Sequence, residues 1–165
     1  MADVIRSVLS NLPAILFVVA LVIATLRRDR CPAARRFLDW QLLLPVGVGG
    51  LWAGLFHVFA PQIAAESIGW AVSPFQFEIG VADIAIGLVA IASFWCSLSF
   101  QSAVVAYIVL FFAGVAIGHV RQAVEAHDFA ADNFGLLLIM TVVTIVLLPL
   151  LLWRSWQHER QSGPG

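Results

Sequence analysis

The chain has 165 residues, of which 61% are hydrophobic and only 12% charged, with a mean hydropathy of +0.95. A soluble domain carries about a quarter charged residues, so a water-soluble fold of this size could not hide so much apolar surface. Nine arginines and no lysine against ten acids leave a formal charge of -1, which argues against nucleic acid as a partner. Cys31 and Cys96 are too few and too far apart for a disulfide scaffold or a clustered cysteine metal motif, and Cys31-Pro32 reads as loop rather than as a haem-regulatory dipeptide.

A spanning helix needs about 20 mainly apolar residues. Five segments meet that need, so the expected fold is all-α: a single domain over 1–165 that is a bundle of five transmembrane helices. The first, 8–26, ends at a basic run of Arg27, Arg28, Arg30, Arg35 and Arg36. Its apolar stretch is too long for a signal peptide, and those arginines make it a retained anchor. The second covers 41–60, the third 77–100, the fourth 103–120 and the fifth 134–153.

Arginine in short loops stays cytoplasmic. Five arginines in the first loop, with Arg154 and Arg160 on the tail, oppose Arg6 and Arg121 on the other side. The N-terminus is therefore expected outside and the C-terminus in the cytoplasm. Trp40, Trp70, Trp153 and Trp156 fall near predicted helix ends, as interfacial anchors do. Gly50 and Gly54, and again Gly114 and Gly118, lie four apart, a spacing that permits close backbone packing. The expected partners are the lipid bilayer, anionic headgroups at Arg27, Arg28, Arg30, Arg35 and Arg36, and a second copy of the chain in a homo-oligomer.

Ser73-Pro74-Phe75-Gln76 predicts the start of the third helix, with Ser73 as N-cap and Gln76 completing a capping box. That places Glu78 in the second turn. His57 near the end of the second helix, His119 at the end of the fourth, and Asp132-Asn133 at the start of the fifth come to the same depth. Asp83 lies at least a turn deeper, about 140° around the helix from Glu78. Ionisable groups inside a span are costly and face a bundle interior or a water cavity. His57, Glu78 and His119 are thus candidate ligands, with Asn133, Asp83 and Gln76 behind them or at the rim. Each has a plainer reading as interhelical or interfacial polarity, and His127, Asp128 and His158 read as solvated loop or tail residues.

Gly54-x-x-His57, Ile68-Gly69-Trp70, Ser73-Pro74-Phe75-Gln76-x-Glu78, Gly118-His119 and Asn133-x-Gly135 together resemble a family of uncharacterised bacterial membrane proteins, known only as a domain of unknown function. The resemblance covers about 50–150 and departs at Ala131-Asp132, where the family pattern has Pro-Gly. It implies a bacterial inner-membrane protein, marks His57, Glu78, His119 and Asn133 as motif positions, and supplies no activity.

Three functions stay open on the sequence. Two imidazoles and a carboxylate at the outer leaflet suit a metal ion, or haem with two axial histidines. Glu78 and Asp83 could be successive stations of a proton or solute path. A non-catalytic assembly partner would use the same polar layer only as interhelical glue. No Ser-His-Asp order, phosphate loop or dinucleotide fingerprint appears, so enzymatic activity stays undecided.

Overall fold

The computed structural model describes residues 11–27, 31–130 and 133–162. Among them there are helices and connections and no strand: α1 (Leu12–Leu26), α2 (Ala33–Phe59), α3 (Pro61–Ser67), α4 (Phe75–Ser93), α5 (Leu98–Glu125) and α6 (Leu136–Ser162). Four of these, α2, α4, α5 and α6, are long and apolar enough to cross a membrane. Their outward faces carry large apolar side chains such as Phe59 (78% exposed) and Leu110 (75% exposed), as a multi-pass membrane protein requires. The described part of α1 has 15 residues, about 22 Å at 1.5 Å per residue, less than the roughly 30 Å hydrocarbon core. The beginning of the expected first span, and Arg6, Arg28 and Arg30, lie outside the described residues.

Helix limits differ from the sequence expectation: three of the long helices extend beyond the apolar stretches, and α4 ends short of its expected limit. α2 begins at Ala33 rather than near residue 41, because Ala33–Gln41 is an amphipathic helix that continues into the span. α4 stops at Ser93, and α5 starts at Leu98 behind Ser97, whose hydroxyl caps the Phe100 amide at 3.3 Å. α5 and α6 run on to Glu125 and Ser162. For α2, α5 and α6, hydropathy marks where the helix enters the apolar layer and backbone hydrogen bonding continues beyond it; α4 instead ends in a turn over residues 94–97, apolar enough to be read as helix.

Within α2 the stretch Leu42–Val48 is a π-helical turn around Pro45. In a regular helix the proline ring would meet the carbonyl four residues earlier, and the wider turn gives it room. The bundle core lies beside this turn, in Leu42, Val46, Ile86, Ala90, Val105, Ile108 and Leu148.

Glycines set the contact between α2 and α4. A Cβ on Gly54 would stand 2.6 Å from the Gly80 carbonyl oxygen, and one on Gly87 would stand 2.6 Å from the Leu51 nitrogen. The expected packing of Gly50 and Gly54 is therefore present, with Gly80 and Gly87 as its other half. The expected Gly114–Gly118 contact is not: a Cβ at either meets nothing within 4 Å.

At the end of the bundle where α2 begins, a buried polar cluster ties three helices. Arg35 Nε donates to Asp39 Oδ1 at 2.9 Å and its Nη2 to the Cys96 carbonyl at 2.8 Å. Gln101, wholly buried, donates from Nε2 to the same Asp39 oxygen at 2.7 Å and to the Ser93 carbonyl at 3.0 Å. Arg36 Nε donates to the Ala24 carbonyl at 2.5 Å, and Arg27 lies 5.5 Å over the Trp40 ring. The three described arginines of the basic run thus all hold partners within the chain.

Candidate functional site

At the opposite end the helices enclose a cavity of about 350 Å³. α4 presents Ile79, Asp83 and Ile86 to it, a stripe of i, i+4, i+7 spacing. α2 contributes Pro45 and Val46 of the π-helical turn, then Gly50, Ala53 and His57. α5 gives Phe111, Phe112, Val115, Gly118 and His119, and α6 gives Leu137, Met140, Thr141 and Thr144. Pro13 and Phe17 of α1 close one side, and Ile68 and Trp70 of the α3–α4 connection cover another.

The expected site residues divide between cavity and surroundings. His57, His119 and Asp83 share the lining. Glu78 is exposed and outside it, one residue and so about 100° of helix away from the Ile79 stripe. Gln76 does not cap α4, which has no side-chain cap; its Nε2 instead stands 3.3 Å from His57 Nδ1. Asn133 is fully buried behind His119. Asp132 lies outside the described residues. Among the described residues no three His, Cys, Asp or Glu side chains gather as metal ligands, so a His57–Glu78–His119 ligand set is not assembled.

The hydrogen bonds fix the His119 tautomer. Asn133 Nδ2 lies 2.7 Å from the Asp128 carbonyl oxygen, which can only accept, so the amide nitrogen is on that side. Asn133 Oδ1 therefore faces His119 Nδ1, at 2.6 Å, and this nitrogen must carry the proton. In the neutral ring Nε2 is left as a lone-pair acceptor. His57 is the converse: with the Gln76 amide nitrogen placed toward it at 3.3 Å, Nδ1 accepts and the neutral ring carries its proton on Nε2. The cavity has one histidine of each kind.

Trp70 is held over His119, ring centroids 5.6 Å apart and planes 32° apart. Its placement starts in α3, which ends in a Schellman motif: the Trp70 amide donates to Ala65 O at 3.0 Å and the Gly69 amide to Glu66 O at 3.2 Å. The motif needs a left-handed residue, and Gly69 has φ +76°. A Cβ there would also stand 2.8 Å from Asp128 Oδ1. Asp128 is thus no simple solvated loop residue: it touches Gly69, accepts the Ala130 amide at 3.0 Å and anchors Asn133. The Ile68-Gly69-Trp70 string and Asn133 belong to one assembly around His119.

The model of a family of unknown function (DUF6790) matches residues 10–161. The chain belongs to that family. No curated protein and no solved structure matches it.

Proposed function

We propose that this DUF6790 member is a bacterial inner-membrane protein that binds a small, mainly apolar organic molecule in the cavity, with His57, His119 and Asp83 at its polar end. The observation that carries the reading is three ionisable side chains in one mainly apolar hollow, one of them with its tautomer fixed by a buried amide. Specific sites for small molecules have this character, with apolar walls and a few placed polar groups. Gln76 and Asn133 orient the histidines from behind. An organic occupant is preferred to a metal because the carboxylate of Glu78 is turned away and no three-ligand group is present among the described residues.

A pocket is also preferred to a through path. Between the cavity and the Arg35–Asp39–Gln101 cluster stands the apolar layer of Leu42, Ala90, Val105, Ile108 and Leu148. Those groups offer a moving proton no hydrogen-bonding station.

Gly118→Leu tests the reading, because it projects into the cavity from a position where a Cβ meets no neighbour. The purified wild type should release a defined organic molecule on solvent extraction, or bind hexanol saturably. Gly118→Leu should remain folded and lose at least tenfold in either. Equal binding by both proteins would refute the site. A stoichiometric metal in the wild type, lost from His57→Ala and His119→Ala, would restore the metal reading.

The topology proposed is five spans, with the N-terminus and the cavity outside and the C-terminus and basic run in the cytoplasm, the run meeting anionic headgroups. Its support is the arginine asymmetry and the course of α1, whose Phe17 lies at the cavity and whose Ala24 lies at Arg36. A membrane-impermeant thiol reagent should label Glu125→Cys in intact cells and spare Cys31. Labelling of both from outside would refute the orientation.

A further inference from the structure

A second hollow of about 320 Å³ lies between α4 and α5, lined by Ala85 and Val89 on one helix and Phe100, Ala103, Val104 and Tyr107 on the other. Val89, Phe100 and Tyr107 are 45%, 41% and 52% exposed, so this groove opens on the outer, lipid-facing surface of the bundle. Ile86 lines both the groove and the cavity, so its side chain is the partition between them. From Asp83 to Val89 the two run for about 9 Å along α4.

The polar atoms of the cavity are biased toward acceptance. Thr141 and Thr144 have committed their hydroxyl hydrogens to the Leu137 and Met140 carbonyls, at 2.9 and 2.8 Å, leaving only oxygen lone pairs. His119 offers Nε2 as an acceptor, and a carboxylate at Asp83 would offer two more. His57 Nε2 supplies a donor. Among the described residues no arginine lines the hollow, and an anionic head would be buried there without a fixed cation from them. An ammonium head could pair with an Asp83 carboxylate but has no lone pair to accept from His57. A hydroxyl can donate to His119 and accept from His57.

We propose that the ligand is a long-chain alcohol or phenol of the bilayer, whose hydroxyl occupies the His57–His119 cavity while its apolar chain passes Ile86 into the α4–α5 groove. This rests on the cavity being a site for an organic molecule. It adds the head chemistry and the lateral route, since a chain lying in the groove enters from lipid and not from water.

Three probes with one tail and different heads test it: oleyl alcohol, oleylamine and oleate, added to the full chain in phosphatidylcholine nanodiscs. Binding is read by native mass spectrometry and by the ¹⁵N resonance of His119 Nε2. Oleyl alcohol should bind saturably, move that resonance, and exceed oleate and oleylamine by at least tenfold. Oleate or oleylamine binding as well as the alcohol would overturn the head assignment. Ala103→Trp fills the groove from an exposed position. It should weaken oleyl alcohol at least tenfold while hexanol, which needs only the cavity, binds as in the wild type. Unchanged oleyl alcohol binding in Ala103→Trp overturns the route and leaves the cavity reading standing, whereas a wild type that neither releases an organic molecule nor binds hexanol removes the cavity reading itself.

Discussion

Gly87→Ala should destabilise the bundle by about 3 kcal/mol or more, at the upper end of overpacking costs. The atoms that a methyl group at this position would meet are backbone: Leu51 N at 2.6 Å and Gly47 O at 2.8 Å. A side chain can swing away from a new carbon, but these atoms move only if α2 and α4 separate along their length. Separation would also loosen the neighbouring contacts at Gly54 and Gly80, where an added Cβ would stand 2.6 Å from Gly80 O and 2.9 Å from His57 Cβ respectively. Thermal unfolding in detergent measures the effect, with Gly114→Ala as the control. That position meets nothing within 4 Å, so alanine should be neutral or stabilise by up to about 1 kcal/mol through helix propensity. Equal melting temperatures for the two variants would show that glycine does not set the α2–α4 distance.

The contrast between those glycines also shows what a sequence can disclose about this fold. Four apolar stretches became helices that can cross a membrane because the bilayer requirement is one of length and composition, both visible in the chain. The two Gly-x-x-x-Gly pairs were indistinguishable as strings. Only the course of α4 puts Gly80 opposite Gly54 and Gly87 opposite Gly47 and Gly50, and leaves Gly114 and Gly118 unopposed.

The candidate site was legible in depth but not in azimuth. His57 and His119 come to one hollow as their positions near helix ends implied. The choice between Glu78 and Asp83 depends on which α4 face turns inward, and the Ile79–Asp83–Ile86 stripe becomes evident once Gly80 and Gly87 are seen to take the α2 side. Trp70 and Asp128 were obscured because they act through a turn: Gly69 at positive φ seats one over His119 and lies against the other. A glycine just after the short α3 was the available signal. At the other end, Arg35 and Arg36 read as loop charges because their segment is amphipathic, whereas the Cys96 and Ala24 carbonyls they bind come from other parts of the chain.

Asp39→Ala should be the most damaging single change in that second polar cluster. One carboxylate oxygen accepts from Arg35 Nε at 2.9 Å and from Gln101 Nε2 at 2.7 Å, and both members of the ion pair are 17% exposed at the side chain. Without Asp39 the guanidinium keeps only the Cys96 carbonyl among the partners described above, and the buried Gln101 amide keeps only the Ser93 carbonyl. Breaking a buried pair costs about 3–5 kcal/mol, and residual exposure lowers that here to about 2–3 kcal/mol. Asp39→Asn retains an acceptor for both donors, and its cost should be about 1 kcal/mol, the difference between a charged and a neutral hydrogen bond. Gln101→Leu should fall between the two, since it loses two donated bonds but also removes Oε1, a buried acceptor with no partner among the described residues. The exposed pair Arg121–Glu125 is the reference: it is shorter, at 2.7 Å, yet its side chains are 70% and 60% exposed, and Glu125→Ala should change stability by less than about 0.5 kcal/mol. Denaturant unfolding of Arg35→Ala, Asp39→Ala and the double variant completes a cycle. The double variant should cost less than the sum of the singles, because it leaves no stranded charge. Strict additivity, or an Asp39→Ala effect no larger than that of Glu125→Ala, would show that water screens this cluster as fully as it screens the surface pair.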